Sequence, residues 1–222
     1  ALFVMSDHGF KSFRRGVNLN SWLLRNGYLA LVEGRETSGE WFKDVDWAGT
    51  KAYALGLGGV YLNLRGREAR GTVDPGAGAA ALKAELAGKL TAIRDGAGGP
   101  AAIANVYDRD AIYAGPYREN APDLIIGYNE GYRASWAGVT GIVDGVVIED
   151  NVKAWSGDHC IDPALVPGVL FSSLKLRTAN PSIMDIAPTA LELFGIAPPA
   201  HMDGRALVDP AGPAGAERGK AS

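Results

Sequence analysis

The sequence predicts an α/β fold on three observations. Short apolar runs of strand length alternate with amphipathic helical stretches, glycine is in marked excess, and the composition is that of a chain with a packed core. Of 222 residues, 47% are hydrophobic and 21% charged, close to globular averages and unlike disordered or fibrous sequences. Thirty glycines, set against a usual share of about 7%, follow no regular period and so mark turns and loops. The length suffices for one large domain with a sizeable core. Lysine and arginine number 22 against 25 acidic residues, a formal charge of −3. No global positive field is available to hold a phosphate backbone, which disfavours duplex nucleic acid as a partner. No apolar run reaches the ~18 residues of a membrane span. The single cysteine, Cys160, excludes an intramolecular disulfide and a thiolate-rich zinc site and leaves the compartment open.

The opening run Ala1-Leu2-Phe3-Val4-Met5 reads as a short, fully buried strand of a parallel sheet, ending abruptly at Ser6-Asp7-His8-Gly9. A buried strand is an odd place for a natural terminus, so an N-terminal portion of the same protein is expected to precede it. Residues 18–25 read as a helix with Asn18 or Asn20 as its cap and Gly27 just past its end. Residues 28–32 follow as a strand. Two β-like runs, 51–55 and 60–64, flank Gly56-Leu57-Gly58-Gly59 and predict a hairpin. The clearest helix is 79–94, where Leu82, Leu86, Leu90 and Ile93 form one apolar stripe and Glu85 and Lys89 pair at i,i+4. Further strands are expected at 102–106, 124–127, 145–148 and 168–171. A helix within 182–194 accommodates Pro188 in its first turn if it begins near Asp185, and Gly195 stops it. Residues 211–222 have no apolar face and read as a flexible tail. Glycine-rich loops and the hairpin suggest a small β-rich insertion, roughly residues 50–135, on one edge.

Histidine is scarce, yet two of the three follow aspartate directly, in Asp7-His8 and Asp158-His159. Successive side chains on a strand point to opposite faces, so Asp7 and His8 converge on one object only if the strand breaks there, as Gly9 allows. A carboxylate and an imidazole at a strand end suit zinc, manganese or a similar divalent ion. Ligands from distant loops can meet at such a sheet edge. The same pairs also fit ordinary histidines oriented by neighbouring acids, and no short spacing such as HExxH decides between the two. Arg65-Gly66-Arg67-Glu68 is a basic loop that fits either an anion contact or a locally paired turn. Gly56–Gly59 lacks the GxGxxG pattern of a dinucleotide site. His201 lies in a proline-rich loop and reads as exposed. Tyr128, Tyr132, Trp136 and Trp155 fit stacking on a ligand or packing. Cys160 has no partnered base in sequence reach and reads as a small buried residue.

Taken in order, three stretches resemble the type I phosphodiesterase/nucleotide pyrophosphatase family of the alkaline phosphatase superfamily, over residues 1 to about 208. They are Val4-Met5-Ser6-Asp7-His8-Gly9-Phe10; Ser156-Gly157-Asp158-His159 with Pro163-Ala164-Leu165-Val166-Pro167-Gly168; and Asp185-Ile186-Ala187-Pro188-Thr189-Ala190-Leu191 with Met202-Asp203-Gly204-Arg205. The resemblance implies a partial alkaline-phosphatase-like sandwich, with a mainly parallel central sheet flanked by helices and a small β-rich insertion. Residues 1–210 would be the C-terminal portion of its catalytic domain. It implies two divalent metal ions, usually zinc, with Asp7 and His8 on one and His159 on the other, and Asp158 at most supporting a ligand. It implies metal-dependent hydrolysis of small-molecule phosphate esters, at phosphodiester or nucleotide pyrophosphate bonds.

The family also uses an upstream Asp, a Thr or Ser nucleophile and an Asp-x-x-x-His pair. No Asp in this chain has a His four positions later. The nucleophile and the remaining ligands are therefore expected upstream of residue 1, and the chain alone is expected to be inactive. Two other readings stay open: a phosphomutase or phosphonate hydrolase of the same superfamily, and a non-catalytic degenerate or split module that keeps the fold for binding.

Overall fold

Ten strands and five α-helices form among residues 1–209, the residues this computed structural model describes. The strands are β1 (Phe3–Ser6), β2 (Lys11–Val17), β3 (Ala52–Leu55), β4 (Gly59–Leu62), β5 (Ile103–Asp108), β6 (Leu124–Tyr128), β7 (Gly131–Ala134), β8 (Ile148–Asp150), β9 (Gly157–Asp158) and β10 (Val169–Ser172). The helices are α1 (Leu19–Arg25), α2 (Ala77–Thr91), α3 (Arg109–Ile112), α4 (Trp136–Val139) and α5 (Ile186–Leu193). The tail expected at 211–222 lies outside the described residues. The described chain divides into two compact units, Phe10–Val166 and residues 1–9 together with residues 167–209. Among the described residues no helix is long and apolar enough to cross a membrane.

In the larger unit, β3 and β4 bury alternate residues, Ala52 and Ala54 against Val60 and Leu62, as a half-buried hairpin requires. Gly56 supplies the positive φ of the turn, at 74°. The hairpin extends through β6 to β5, giving the order β3-β4-β6-β5, antiparallel throughout. Helix α2 packs on β5 and sinks Leu86 and Leu90 completely. Its Glu85–Lys89 pair stays in solvent at 2.7 Å. Helix α1 starts where the Asn18 side chain accepts from the Ser21 amide at 3.1 Å. Asn20 has another task. Its amide group exchanges two 2.8 Å hydrogen bonds with the backbone of Ala54, occupying a strand edge that would otherwise be unpaired.

The second sheet of this unit has the order β7-β2-β8, with β9 also on β2. Strand β2 was hidden from the periodicity argument because Lys11, Arg14 and Arg15 mask its buried Phe13 and Val17. The strand expected at 28–32 is only an isolated bridge between Leu31 and Val45. The parallel pairing expected of a central sheet is not what these strands form: among them only β2–β7 is parallel and every other pairing is antiparallel. Parallel neighbours need crossovers of a dozen or more residues, whereas the paired strands β3 and β4 are joined by a short turn. A short apolar run reads alike in both settings.

In the smaller unit, β1 pairs with β10 antiparallel, from Phe3↔Ser172 to Ser6↔Val169. This corrects the expected buried strand. In a two-stranded ribbon Val4 and Phe171 sit directly opposite each other, and they remain 54% and 66% exposed. Helix α5 begins after a capping box, in which the Ser182 hydroxyl accepts from the Met184 amide and Asp185 accepts from the Ser182 amide at 2.8 Å. The other Asp185 oxygen accepts from the Arg205 amide at 2.8 Å. The Leu207 amide donates to the Thr189 hydroxyl at 2.9 Å, so the last loop is stitched to the helix twice. A Cβ on Gly204 would come within 2.0 Å of the Met184 carbonyl, which reserves that position for glycine.

Leu90→Ala is expected to destabilise the chain by about 2–5 kcal/mol, the usual cost of emptying a buried leucine site, measured by urea denaturation. The Arg205 and Ser182 amides hold the Asp185 carboxyl below its ordinary value against the opposing effect of burial. A carboxyl depressed on folding stabilises fully above its unfolded value, about pH 4, and loses that contribution as pH falls through the lower folded value. Thermal melts across that acid range are expected to show a shallower loss of stability in Asp185→Asn than in the parent chain, from a lower starting point at neutral pH.

Candidate metal centre

The Asp7-His8 pair follows β1 where β10 comes closest. The Val169 amide donates to the Ser6 hydroxyl at 3.2 Å, and a Cβ on Gly168 would lie 2.4 Å from the Ser6 carbonyl oxygen and 2.9 Å from that of Asp7. Glycine at 168 therefore lets the two backbones approach just past the end of β1. The Asp7 Oδ1 atom accepts from the His8 amide at 3.1 Å, which turns the carboxylate toward the ring. Nδ1 of His8 lies 2.9 Å from the Gly9 carbonyl, an acceptor, so the proton belongs on Nδ1. Nε2 then presents its lone pair to Asp7 Oδ2 across 3.5 Å.

An oxygen and a ring nitrogen at that separation can share a divalent ion. Ligands at 2.0–2.1 Å on a tetrahedral zinc stand about 3.3 Å apart. A backbone carbonyl holding the far ring nitrogen is the usual support of a metal-bound histidine. The donor set and its geometry thus fit a divalent ion. Both side chains are accessible, and a cavity of about 290 Å³ lies beside Asp7, lined in part by Ser6, Gly168, Ser182 and Ile186.

His159 sits in the larger unit, just past β9. Asp158, 6% exposed, pairs in register with Lys11 of β2. Its Oδ1 accepts from the amides of His159 at 2.7 Å and Cys160 at 2.9 Å, and its Oδ2 lies 3.1 Å from Nε of Arg133. Burial opposes the charged form, but the two amides and Arg133 outweigh it and hold the carboxyl below its ordinary value. The far end of the loop is tied by Asp162, 1% exposed, which accepts from Asn105 and the Tyr107 hydroxyl at 2.8 Å and from the Ala164 amide at 3.0 Å. Its carboxylate lies over Gly127, where a Cβ would come within 2.3 Å. The loop that presents His159 is therefore bracketed by two buried carboxylates. The Phe10 ring lies on the backbone of Gly157, with its centroid 5.9 Å from the His159 ring.

Asp158, His159 and Cys160 each bring a ligand atom within 4.8 Å of the others. Both oxygens of Asp158 are engaged, and burial beside that carboxylate pushes the Cys160 thiol up, away from the thiolate a metal or a nucleophilic role requires. Arg67 spans Asp123 at 2.6 Å and Glu68 at 2.8 Å, so the basic loop is a paired turn. Gly56–Gly58 form the hairpin turn and Gly59 opens β4, His201 is exposed, and Tyr128 and Tyr132 are core. Trp136 and Trp155 are 37% and 60% exposed. Arg133 and Asp162 carry no sequence motif; their roles come from partners on other strands.

A family model, type I phosphodiesterase / nucleotide pyrophosphatase, matches residues 1–137, a stretch that includes Asp7 and His8; His159 lies beyond it. No curated protein and no solved structure matches the chain. The match spans more than half of the sequence and coincides with the Asp-His strand end: the chain belongs to the type I phosphodiesterase / nucleotide pyrophosphatase family.

Proposed function

We propose that this chain supplies metal ligands to a hydrolase of phosphate esters, acting on phosphodiester or nucleotide pyrophosphate bonds of small molecules. The observation that carries this reading is the facing of His8 Nε2 and Asp7 Oδ2, with Nδ1 held by the Gly9 carbonyl. Asp7 and His8 would hold one divalent ion and His159 a second, both zinc in our reading. Bound zinc supplies Lewis acidity for a phosphoryl oxygen and for the nucleophilic and leaving oxygens of an in-line displacement.

The chain's own residues bind and orient. Asp7 offers a hard oxygen and His8 a nitrogen whose lone pair is aimed by the Gly9 carbonyl. The loop bracketed by Asp158 and Asp162 presents His159. In this reading residues 1–210 are the C-terminal portion of an alkaline-phosphatase-like domain, with an insertion at roughly 50–135. The Thr or Ser nucleophile, the upstream Asp and the Asp-x-x-x-His pair would belong to the portion that precedes it. Cys160, with its raised thiol, has no part in the chemistry.

Zinc titrated calorimetrically into the chain is expected to bind, and His8→Ala and Asp7→Asn each to weaken that binding at least about tenfold, no less than the loss of an outer-shell partner costs. Binding indifferent to both substitutions would remove the metal site. The complete gene product, loaded with zinc, is expected to cleave a phosphodiester such as bis-p-nitrophenyl phosphate. Turnover of sulfate or phosphonate esters alone would overturn the substrate assignment.

A further inference from the structure

We propose that Arg133 is a positioning residue for His159, acting through Asp158; this rests on His159 being a metal ligand. Arg133 lies on β7 and is 4% exposed. Its guanidinium stacks on the Phe13 ring at 5.0 Å and the Trp136 ring at 4.3 Å, and Lys153 lies over the Trp136 ring at 4.5 Å. Nε stands 3.1 Å from Asp158 Oδ2 yet is not aligned for a hydrogen bond with it, so the attraction is one of charge. A buried cation with an unbonded Nε persists only where a counter-charge and polarisable faces compensate it, and Asp158 and the two rings do so.

The consequence falls on Asp158. With Oδ2 drawn to Arg133, Oδ1 turns to the amides of His159 and Cys160 and comes within 3.9 Å of His159 Nδ1. One carboxylate thereby sets the turn that aims the imidazole and places negative charge on its Nδ1 side, which favours Nε2 as the nitrogen given to a metal. Arg133 also keeps Asp158 from acting as a ligand itself, although its oxygens lie near those of His159 and Cys160. Without Arg133, Asp158 would be a buried, uncompensated carboxylate, able to swing toward a bound cation and alter the coordination.

The test compares zinc affinity by calorimetry, the visible spectrum of the cobalt-substituted protein and thermal unfolding in the whole 222-residue chain and in Arg133→Gln, Arg133→Lys, Asp158→Asn and His159→Ala. Arg133→Gln is expected to weaken zinc about 10- to 100-fold, the range for loss of an outer-shell partner, and to shift the cobalt bands. Arg133→Lys is expected to recover most of the affinity and the parent spectrum while melting as early as Arg133→Gln, a separation that a purely structural role does not produce. Should Arg133→Gln fail to fold, Asp158→Asn removes the ion pair while keeping an acceptor for the amides, and is expected to weaken zinc similarly. Parent-like affinity and spectrum in Arg133→Gln, or in Asp158→Asn where that variant carries the test, with one zinc equivalent and its cobalt bands lost in His159→Ala while the Asp7-His8 ion stays, would overturn the role of Arg133. Parent-like binding in His159→Ala would instead overturn the ligand assignment on which it rests.

Discussion

The sheet around β2 is built from strands that carry cations, the half-buried Arg15 on β2 and the buried Arg133 on β7, and each has its counter-charge in reach. Arg15 on β2 donates from Nε and one terminal nitrogen to both oxygens of Asp95 at 2.6 Å, while its other terminal nitrogen reaches Asp150 at the end of β8. Arg133 on the neighbouring β7 answers Asp158 on β9. Stranding one member of a fully buried pair costs about 3–5 kcal/mol, a cost that falls on Arg133 and Asp158, both buried, rather than on the half-buried Arg15. Arg15 in turn holds the Asp95 carboxyl below its ordinary value. The loop that presents His159 is thus a product of charge pairing in the sheet beneath it.

Local signals were legible and long-range ones were not. The β3–β4 hairpin, the stripe of α2, the Asn18 cap and the start of α5 near Asp185 each depend on residues within a few positions of one another, and each formed as expected. Strand β2 was missed because its cations hide its alternation. Strand direction was misjudged because Val4 and its neighbours have the same apolar character in a buried parallel strand as in the exposed ribbon they form with β10. At the site, the two Asp-His dipeptides stood out because histidine is scarce. Arg133 and Asp162 did not, since their partners lie on other strands: Asp162 meets Asn105 and Tyr107, more than fifty positions away.

The two histidines are prepared differently. His8 is set by its immediate neighbours, with the Asp7 carboxylate on one side of the ring and the Gly9 carbonyl on the other. His159 is set at a distance, by carboxylates that reach into the surrounding strands. A local bracket survives most changes elsewhere in the fold, whereas a remote one transmits them. The placement of the His159 ring should therefore respond to substitutions in β2, β5 and β7, while the Asp7-His8 pair should depend on Gly168 and the β1–β10 ribbon.

In the proposed function Asp7 and His8 together hold one divalent ion. Crystals of the chain grown with zinc, measured on both sides of the zinc absorption edge, test it most directly. We expect an anomalous peak about 2.0–2.1 Å from Asp7 Oδ2 and His8 Nε2, the normal zinc–oxygen and zinc–nitrogen distances. Zinc found only at other side chains, with the Asp7 and His8 rotamers unchanged and no peak between them, would contradict the account.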